Sequence, residues 1–508
     1  MKKASEDLFL LIKSLNRNEK GYFKRLSSFY TKKGDANYLA LFDAIQEQDH
    51  YNEDELKKKF QGERFVRQIH VAKNYLYNFI LESTELYQKD IDSRLRSYLN
   101  QIEFLSEKSL YPQCEKLVRR AKKMALHYER FTLLLDVLAL ENRLMRKQLY
   151  TVKSEKEMEE MYIREMDSID KYRNIVEYRH FVSSIFMKIY SGKKQAAAQK
   201  LKSVAHSPLF TSMKKLNSGR AKILYYYGKS SFSHSVDDHQ NAYTNMRKLV
   251  AFYESNPKFI EINPGDYHNA LKNLVAACNN LSRFDETFIN VQKLKSLSTK
   301  SKHLNEANFY FINIILLTLY INTGALKEGL KLIGSIQKEF KEQDLKQTRN
   351  KSEIELFYCF AYLYIYAEQY DKAKYFLRKI INNSDKHRTD LYCSAKIVNL
   401  IVHFEMKSDD LMISASRSTS RYLQKINRHY KFEILLLKFI EANGFSIHSE
   451  KERMAAYKYL RAELVKIFRD PTEKKELDYF DFESWLVSKI EKRKFVEVVK
   501  EKKLAIHH

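Results

Sequence analysis

The stretch FYCFAYLYIYAEQYDKAKYFLRKI, residues 357–380, decides the fold class of this chain. Its first half carries large and small apolar residues at three- and four-residue steps, namely Phe357, Phe360, Ala361 and Tyr364. After a turn at Tyr370 its second half repeats the pattern with Ala373, Leu377 and Ile380. This spacing places each set on one helical face, and the small residues let two helices approach closely. The stretch therefore predicts an antiparallel helix pair.

Looser copies of this pattern occur upstream, and we aligned them on the residue equivalent to Ala373. These anchor residues are Cys114, Met158, Ala197, Ala242, Thr287, Gly329 and Ala373. Their separations are 44, 39, 45, 45, 42 and 44 residues, so the dominant period is about 42–45. The periodicity predicts an all-α protein, an α-solenoid of stacked antiparallel helix pairs over residues 91–470.

Glycine and proline are scarce, and this favours the same fold class. The chain has 508 residues but only 11 Gly and 5 Pro, whereas tight turns between strands consume both. Long helices joined by short loops need far fewer of them. The length exceeds what one ordinary core serves, so we expect several domains or one elongated array.

A separate helical module precedes the predicted array, over residues 1–90. Ser5 and Asn18 are predicted to cap its first two helices, and Asn52 precedes an acidic first turn that predicts a fourth. Residues 471–508 are predicted to form a capping helix and a charged tail. The apolar stripe of that helix is Phe480, Phe482, Trp485, Leu486 and Ile490. An array must cover its last exposed face, which is the role predicted for this helix.

Two resemblances extend this interpretation. The chain resembles the tetratricopeptide-like helical-repeat superfamily, most specifically over residues 271–381, and this implies stacked helix pairs lining a groove. It departs from that motif at Asp385, where the motif has proline, and at Leu317 and Val275, where it has glycine. The N-terminal module resembles an uncharacterised family of helical bacterial proteins, which implies no function. The phrases that carry this second resemblance are residues 11–15, 18–24 and 37–45.

Cysteine usage and hydropathy predict a cytoplasmic protein. Four scattered cysteines, without a Cys-x-x-Cys pair, favour free thiols in a reducing compartment over disulfides or structural zinc. The apolar run at residues 8–12 is too short for a signal peptide. The longest apolar stretch, residues 309–321, is too short to span a bilayer and predicts a buried helix instead.

Motifs of catalysis are absent from the sequence, which predicts a non-enzyme with no cofactor and no metal. We find no phosphate-binding glycine loop, no Gly-x-Ser-x-Gly elbow and no His-Glu-x-x-His helix. His403 and Glu405 form a His-x-Glu, but no Pro-Cys-x-x-Cys follows. His234 and His239 flank two aspartates, yet a five-residue spacing does not place both on one helical face.

Positive charge provides the one candidate binding site. The net charge is +25 and is spread along the chain. One set of basic residues recurs at three- and four-residue steps: Lys116, Arg119, Arg120, Lys123, His127 and Arg130. A neighbouring set is predicted to bury: Leu117, Met124, Tyr128 and Phe131. The basic set predicts a helical face that binds phosphates or an acidic peptide, and a merely solvated face is the alternative.

Three functions from different classes remain open at this level, and the third is an enzyme whose site is assembled from distant helices without a local motif. The first is a protein-interaction scaffold whose helical-repeat groove binds another protein or peptide. The alternative is a nucleic-acid- or ribosome-associated factor that uses the diffuse positive charge, including a helix-turn-helix reader in residues 1–90. That module carries a balance of only +2, which disfavours DNA binding. The sequence leaves the partner and the oligomeric state undetermined.

Overall fold

The structure is a computed structural model in which every regular element is helical. It describes residues 5–30, 36–87, 90–148, 154–190, 207–211, 213, 216–297, 302–342, 351–383, 389–406, 408–428, 430–443, 450–470, 473 and 479–504. No strand occurs among these residues, and neighbouring helices pack on one another. The predicted all-α class is therefore confirmed.

The chain divides into two compact units, Met1–Leu281 and Ser282–His508. This division does not coincide with the predicted boundaries after residues 90 and 470, which stay predictions. Within the described ranges, no helix combines the length and apolarity needed to cross a bilayer. The longest apolar stretch, residues 309–321, lies inside one helix of the second unit.

The first unit begins with a bundle of short helices and continues with longer ones. Its helices are α1 (Asp7–Ser14), α2 (Arg17–Tyr30), α3 (Ala36–Glu47), α4 (Glu53–Lys59), α5 (Ile69–Tyr87), α6 (Ile91–Glu107), α7 (Tyr111–His127), α8 (Phe131–Lys147), α9 (Glu155–Tyr190), α10 (Pro208–Thr211), α11 (Gly219–Ser235), α12 (His239–Ser255), α13 (Pro257–Ile262) and α14 (Pro264–Asn280). A 3₁₀-helix, Arg64–Gln68, precedes α5. Helix α6 packs on α7, α7 on α8, α8 on α9, and α9 on α11.

Side-chain caps explain where the N-terminal helices begin. The predicted acidic first turn of α4 is confirmed, and the Asn52 side chain caps it by accepting hydrogen bonds from the backbone N–H groups of Asp54 and Glu55. The predicted cap of α2, Asn18, was wrong by two residues. Asn16, not Asn18, accepts from the first-turn N–H groups, and the Glu19 carboxylate accepts in return from the Asn16 N–H at 2.8 Å. This reciprocal pairing is a capping box.

The second unit consists of long helices followed by a returning C-terminal segment. Its helices are α15 (Phe284–Ser296), α16 (Lys302–Thr323), α17 (Leu326–Glu342), α18 (Lys351–Tyr366), α19 (Tyr370–Ile381), α20 (Thr389–Glu405), α21 (Asp409–Lys425), α22 (Lys431–Asn443), α23 (Glu450–Ile467), α24 (Phe482–Ile490) and α25 (Phe495–Leu504). Helix α18 packs on both α17 and α19, as the stretch 357–380 predicts.

One turn geometry recurs between successive helices of both units. Six helices are preceded, two positions earlier, by a residue with φ between +52° and +67°: Ser109, Glu129, Asp237, Ser282, Gly324 and Glu368. In several of these turns the next N–H reaches the carbonyl five residues back, as from Leu110 to Leu105 at 3.0 Å. This bond satisfies a terminal helix carbonyl. Because only Gly324 among the six is glycine, the turns recur without many glycines.

The predicted anchor residues occupy an equivalent place in several helices. Cys114, Ala242, Thr287, Gly329 and Ala373 each stand at the fourth position of a helix that follows such a turn, and all five are buried. A Cβ atom added to Gly329 would lie 2.9 Å from Cδ1 of Leu363 on α18, so the neighbouring helix approaches closely there. Met158 was predicted wrongly, because it is 39% exposed on α9. Ala197 lies outside the described residues.

Candidate functional site

Helix α7 places the candidate basic residues opposite its buried side. The buried side consists of Cys114, Val118, Ala121 and Ala125, which pack against α6 and α8. Pro112 in the first turn suits a helix start, where its missing N–H costs no hydrogen bond. The neighbouring set was predicted only partly correctly: Phe131 is buried, whereas Leu117, Met124 and Tyr128 are half-buried. Small residues, rather than large ones, line the packed side.

The exposed side of α7 concentrates cations. We define the basic face as Lys116, Arg119, Arg120 and Lys123, all of which are exposed. None of the four makes an ion pair or side-chain hydrogen bond within the described part of the chain. Lys122, one position away, differs: its Nζ lies 2.6 Å from Oε2 of Glu141 on α8. The basic face is therefore uncompensated, whereas its inner neighbour is paired.

Arg130 does not belong to the basic face. Helix α7 ends at His127, and Glu129 adopts the left-handed conformation, so the helical spacing stops before Arg130. Arg130 is 15% exposed in its side chain, and its Nε lies 2.6 Å from Oδ1 of Asp92. The predicted stripe thus holds for the residues within α7 and fails at Arg130, because a turn intervenes.

Glu129 and Arg130 belong instead to a compensated junction between helices. The two Glu129 carboxylate oxygens accept from the N–H groups of Gly219 and Arg220 at 3.1 and 3.0 Å, which caps α11. Lys258 lies 3.7 Å from the same carboxylate. Because a carboxylate of the chain itself occupies this helix N-terminus, the junction serves packing rather than ligand capture.

The histidines considered from sequence have structural surroundings. His403 is buried on α20; burial lowers its pKa, and nearby Lys374 and Arg378 lower it further. His234 and His239 lie across the α11–α12 turn with ring centroids 6.0 Å apart, so the fold brings together two residues that do not share a helical face. Among the described residues, no group of three or more His, Cys, Asp or Glu side chains is arranged to hold a metal ion.

A cleft between α21 and α22 was not foreseen from the sequence. It has a volume of about 340 Å³ and is lined by Met412, Ile413, Ser416, Arg417, Ile440 and Glu441. The buried Ser416 hydroxyl donates to Oε1 of Glu441 at 2.8 Å. The acceptor of this hydrogen bond is a carboxylate, and no histidine is among the lining residues.

The C-terminal segment, residues 479–504, packs into the hydrophobic core of the second unit. Phe480 is fully buried and packs on Tyr362 of α18 at 5.0 Å between ring centroids. Trp485 donates from Nε1 to Oε1 of Glu405 on α20 at 2.8 Å. Helix α25 packs on α16. The segment thus contacts helices α16, α18 and α20.

No family model matches the chain, and no curated protein or solved structure matches it either. The two resemblances drawn from the sequence therefore stay resemblances.

Proposed function

We propose that this chain is a non-enzymatic scaffold of the tetratricopeptide-like α-solenoid type, which binds an acidic segment of a partner protein on the basic face of α7. The repeated turn and the buried residue at the fourth helix position support a repeat architecture. Binding of this kind needs an exposed surface and no reactive group.

The observation that carries the proposal is the uncompensated charge of α7. Lys116, Arg119, Arg120 and Lys123 span roughly 10 Å along the helix axis at the usual helical rise. Exposed cations scattered over a surface are each solvated separately, whereas four on one helical face produce a focused positive potential. An extended peptide of about four residues covers the same length.

Apolar surface beside the cations favours an acidic protein segment over nucleic acid. Leu126 is 39% exposed on α7, and Leu110 just before the helix is 40% exposed. A peptide that alternates acidic and apolar residues contacts both kinds of surface, whereas a phosphate backbone uses only the cations. The second unit is a less suitable binding site for such a partner, because its C-terminal segment already packs on Tyr362 and Glu405.

The proposal is tested with two fluorescent probes on the full chain: a peptide of alternating Glu and Leu, and a single-stranded RNA of similar charge. The variant carries K116E, R119E, R120E and K123E. A matched control carries the same charge change on exposed residues elsewhere, R146E, R247E, K248E and K295E. We expect the first variant to weaken peptide binding by about tenfold or more and the control to change it little.

Two further measurements separate the protein partner from the nucleic-acid alternative. Leu126→Ser should weaken peptide binding without changing RNA binding. Peptide binding should also survive an increase from about 50 to about 200 mM salt better than RNA binding does. Tighter binding of RNA than of peptide, lost with the charge reversal and insensitive to Leu126→Ser, would support the alternative. Equal peptide binding by both charge variants would refute the scaffold site.

A further inference from the structure

Helix α9 carries apolar residues on two opposite sides. Its packed side, which faces α8 and α11, includes Met161, Ile175, Tyr178, Phe181, Val182 and Ile185. Its outer face carries Met158, Tyr162, Met166, Ile169, Val176 and Met187, which are between 39% and 71% exposed. These positions are separated by three, four, seven or eleven residues, which are whole numbers of helical turns, so they form one apolar stripe along the helix. A helix that simply faced water would present polar residues there.

The outer face spans Met158 to Met187, about 44 Å at the usual helical rise. Exposed Arg173, His180 and Ser183 lie on the same side between these positions, so the outer face is mostly apolar but not continuous. Exposed apolar residues gathered on one helix face mark an interaction site. At a width of roughly 10 Å for one helix, it offers on the order of 500 Å² to a partner. This is less than the ~800 Å² per partner of a standard interface, so it suits a reversible association.

The charges along α9 favour a second copy of the same helix as the partner. Next to Ile169, Lys171 pairs with Asp167 and Arg173 with Asp170 inside the helix, so the charges farther from Ile169 set the preference. Residues 155–170 contain seven acidic and two basic residues, whereas residues 171–190 contain four basic and one acidic. The sign changes beside Ile169, which is also the midpoint between Tyr162 and Val176 on the apolar stripe. A second copy of α9 laid antiparallel places each acidic half against a basic half. A parallel copy would oppose like charges.

We infer that the chain forms a two-fold symmetric homodimer in which the outer faces of two α9 helices pack antiparallel about Ile169. Such a contact is isologous, because the same face serves both copies, and it closes after two subunits. The apolar stripe supplies the buried area, and the reversed charges set the orientation. This inference does not depend on the basic face of α7.

Sedimentation equilibrium of the full chain tests the association. We expect the mass to rise from 60.6 kDa toward twice that value as the concentration increases through the micromolar range. Ile169→Glu should raise the dimer dissociation constant by at least about tenfold, since it places two carboxylates at the symmetry axis. Val236→Glu is the matched control, because Val236 is similarly exposed on another part of the first unit. A chain that stays monomeric throughout would overturn the inference.

Cysteine cross-linking tests the orientation, since the native cysteines Cys114, Cys278, Cys359 and Cys393 are all buried. Ile169→Cys should cross-link with itself under mild oxidation. Tyr162→Cys should cross-link with Val176→Cys in a mixture more than with itself. The substituted positions are exposed, so an unchanged circular dichroism melting curve verifies folding. Self-linking of Tyr162→Cys that exceeds the mixed product would indicate parallel helices and contradict the inference.

Discussion

At the scale of single residues, one buried cation, Lys73, connects several segments of the N-terminal helices. Lys73 lies on α5, and its Nζ contacts Oε2 of Glu53 at 2.9 Å and the backbone carbonyl of Ser5 at 3.1 Å. The Tyr51 hydroxyl shares the same nitrogen. Burial opposes ionisation of Glu53, but hydrogen bonds from Lys73, Lys57 and Tyr51 lower its pKa to about 2. One ammonium thus connects α4, α5 and the start of α1.

Removing Lys73 should cost much more stability than removing Lys57, although both contact Glu53. Lys73→Met removes the buried cation and leaves the partly buried Glu53 carboxylate with only the exposed Lys57 as its ion pair, at a cost of about 3 kcal/mol. Lys57 is 44% exposed, and Lys57→Met should cost less than about 1 kcal/mol. Urea unfolding followed by circular dichroism measures both. Equal costs would show that burial does not distinguish the two pairs.

The Glu53 carboxylate should also make stability depend on pH. Its folded pKa of about 2 lies below the unfolded value of about 4.3, so the unfolded state binds the proton more tightly. The contribution is complete above the unfolded pKa and is lost as the pH falls. Between pH 6 and pH 3 the wild type should lose roughly 1.5–2 kcal/mol more than Glu53→Gln. Parallel pH profiles of the two proteins in urea unfolding would contradict this assignment.

At the scale of helices, close approach depends on where small residues stand. In α17, Gly329 faces Leu363 of α18, whereas an added Cβ on Gly334 would meet no atom within 4 Å. Both glycines lie inside the same helix, so both carry the same backbone entropy cost. They differ only in whether a neighbouring helix occupies the space that a side chain would need.

Alanine at these two glycines should therefore have different effects. Gly334→Ala should stabilise the second unit by about 0.5–1 kcal/mol, because alanine favours the helix. Gly329→Ala should be roughly 1–3 kcal/mol less stable than Gly334→Ala, because its methyl group must displace buried Leu363. Trp485 is the only tryptophan of the chain, so its fluorescence in urea reports on this unit. If Gly329→Ala stabilised equally, α17 and α18 would not be in close contact there.

At the scale of the whole molecule, the two compact units have different surfaces. The first unit exposes the basic face of α7 and the outer face of α9. In the second unit, the apolar stripe of the C-terminal segment is part of the main hydrophobic core. Fully buried aromatics such as Phe480 and Phe482 make this segment part of the core. Partner binding is accordingly proposed for the first unit.

Phe480→Ala should destabilise the second unit as a core substitution does. We expect a loss of about 3–5 kcal/mol, because Phe480 is fully buried against Tyr362 and Phe495. Tyr459→Ala is the control, since Tyr459 is 63% exposed on α23, and it should change stability by less than about 0.5 kcal/mol. The urea midpoint of Trp485 fluorescence measures both. An unchanged midpoint with increased acrylamide quenching would instead show that the segment is a detachable arm.

The sequence by itself determined the helical class and which residues share a face within each helix. Apolar spacing predicted the pair in residues 357–380, the acidic turn after Asn52 predicted the start of α4, and three-to-four-residue steps predicted the basic face of α7. These features depend on neighbours within a few residues, so local periodicity contains them. The prediction failed at Arg130 because a left-handed Glu129 ends the helical phase, and spacing alone does not show where a helix stops.

Only the tertiary structure decided which faces are covered. The sequence of α9 shows apolar residues on two sides but not which side meets α8 and α11. The apolar stripe of the C-terminal segment is visible in the sequence, yet its contacts with Tyr362 and Glu405 join residues far apart along the chain. The α21–α22 cleft likewise exists only between helices. Periodicity specifies a face, whereas the packing of distant segments determines whether that face is core, cleft or binding surface.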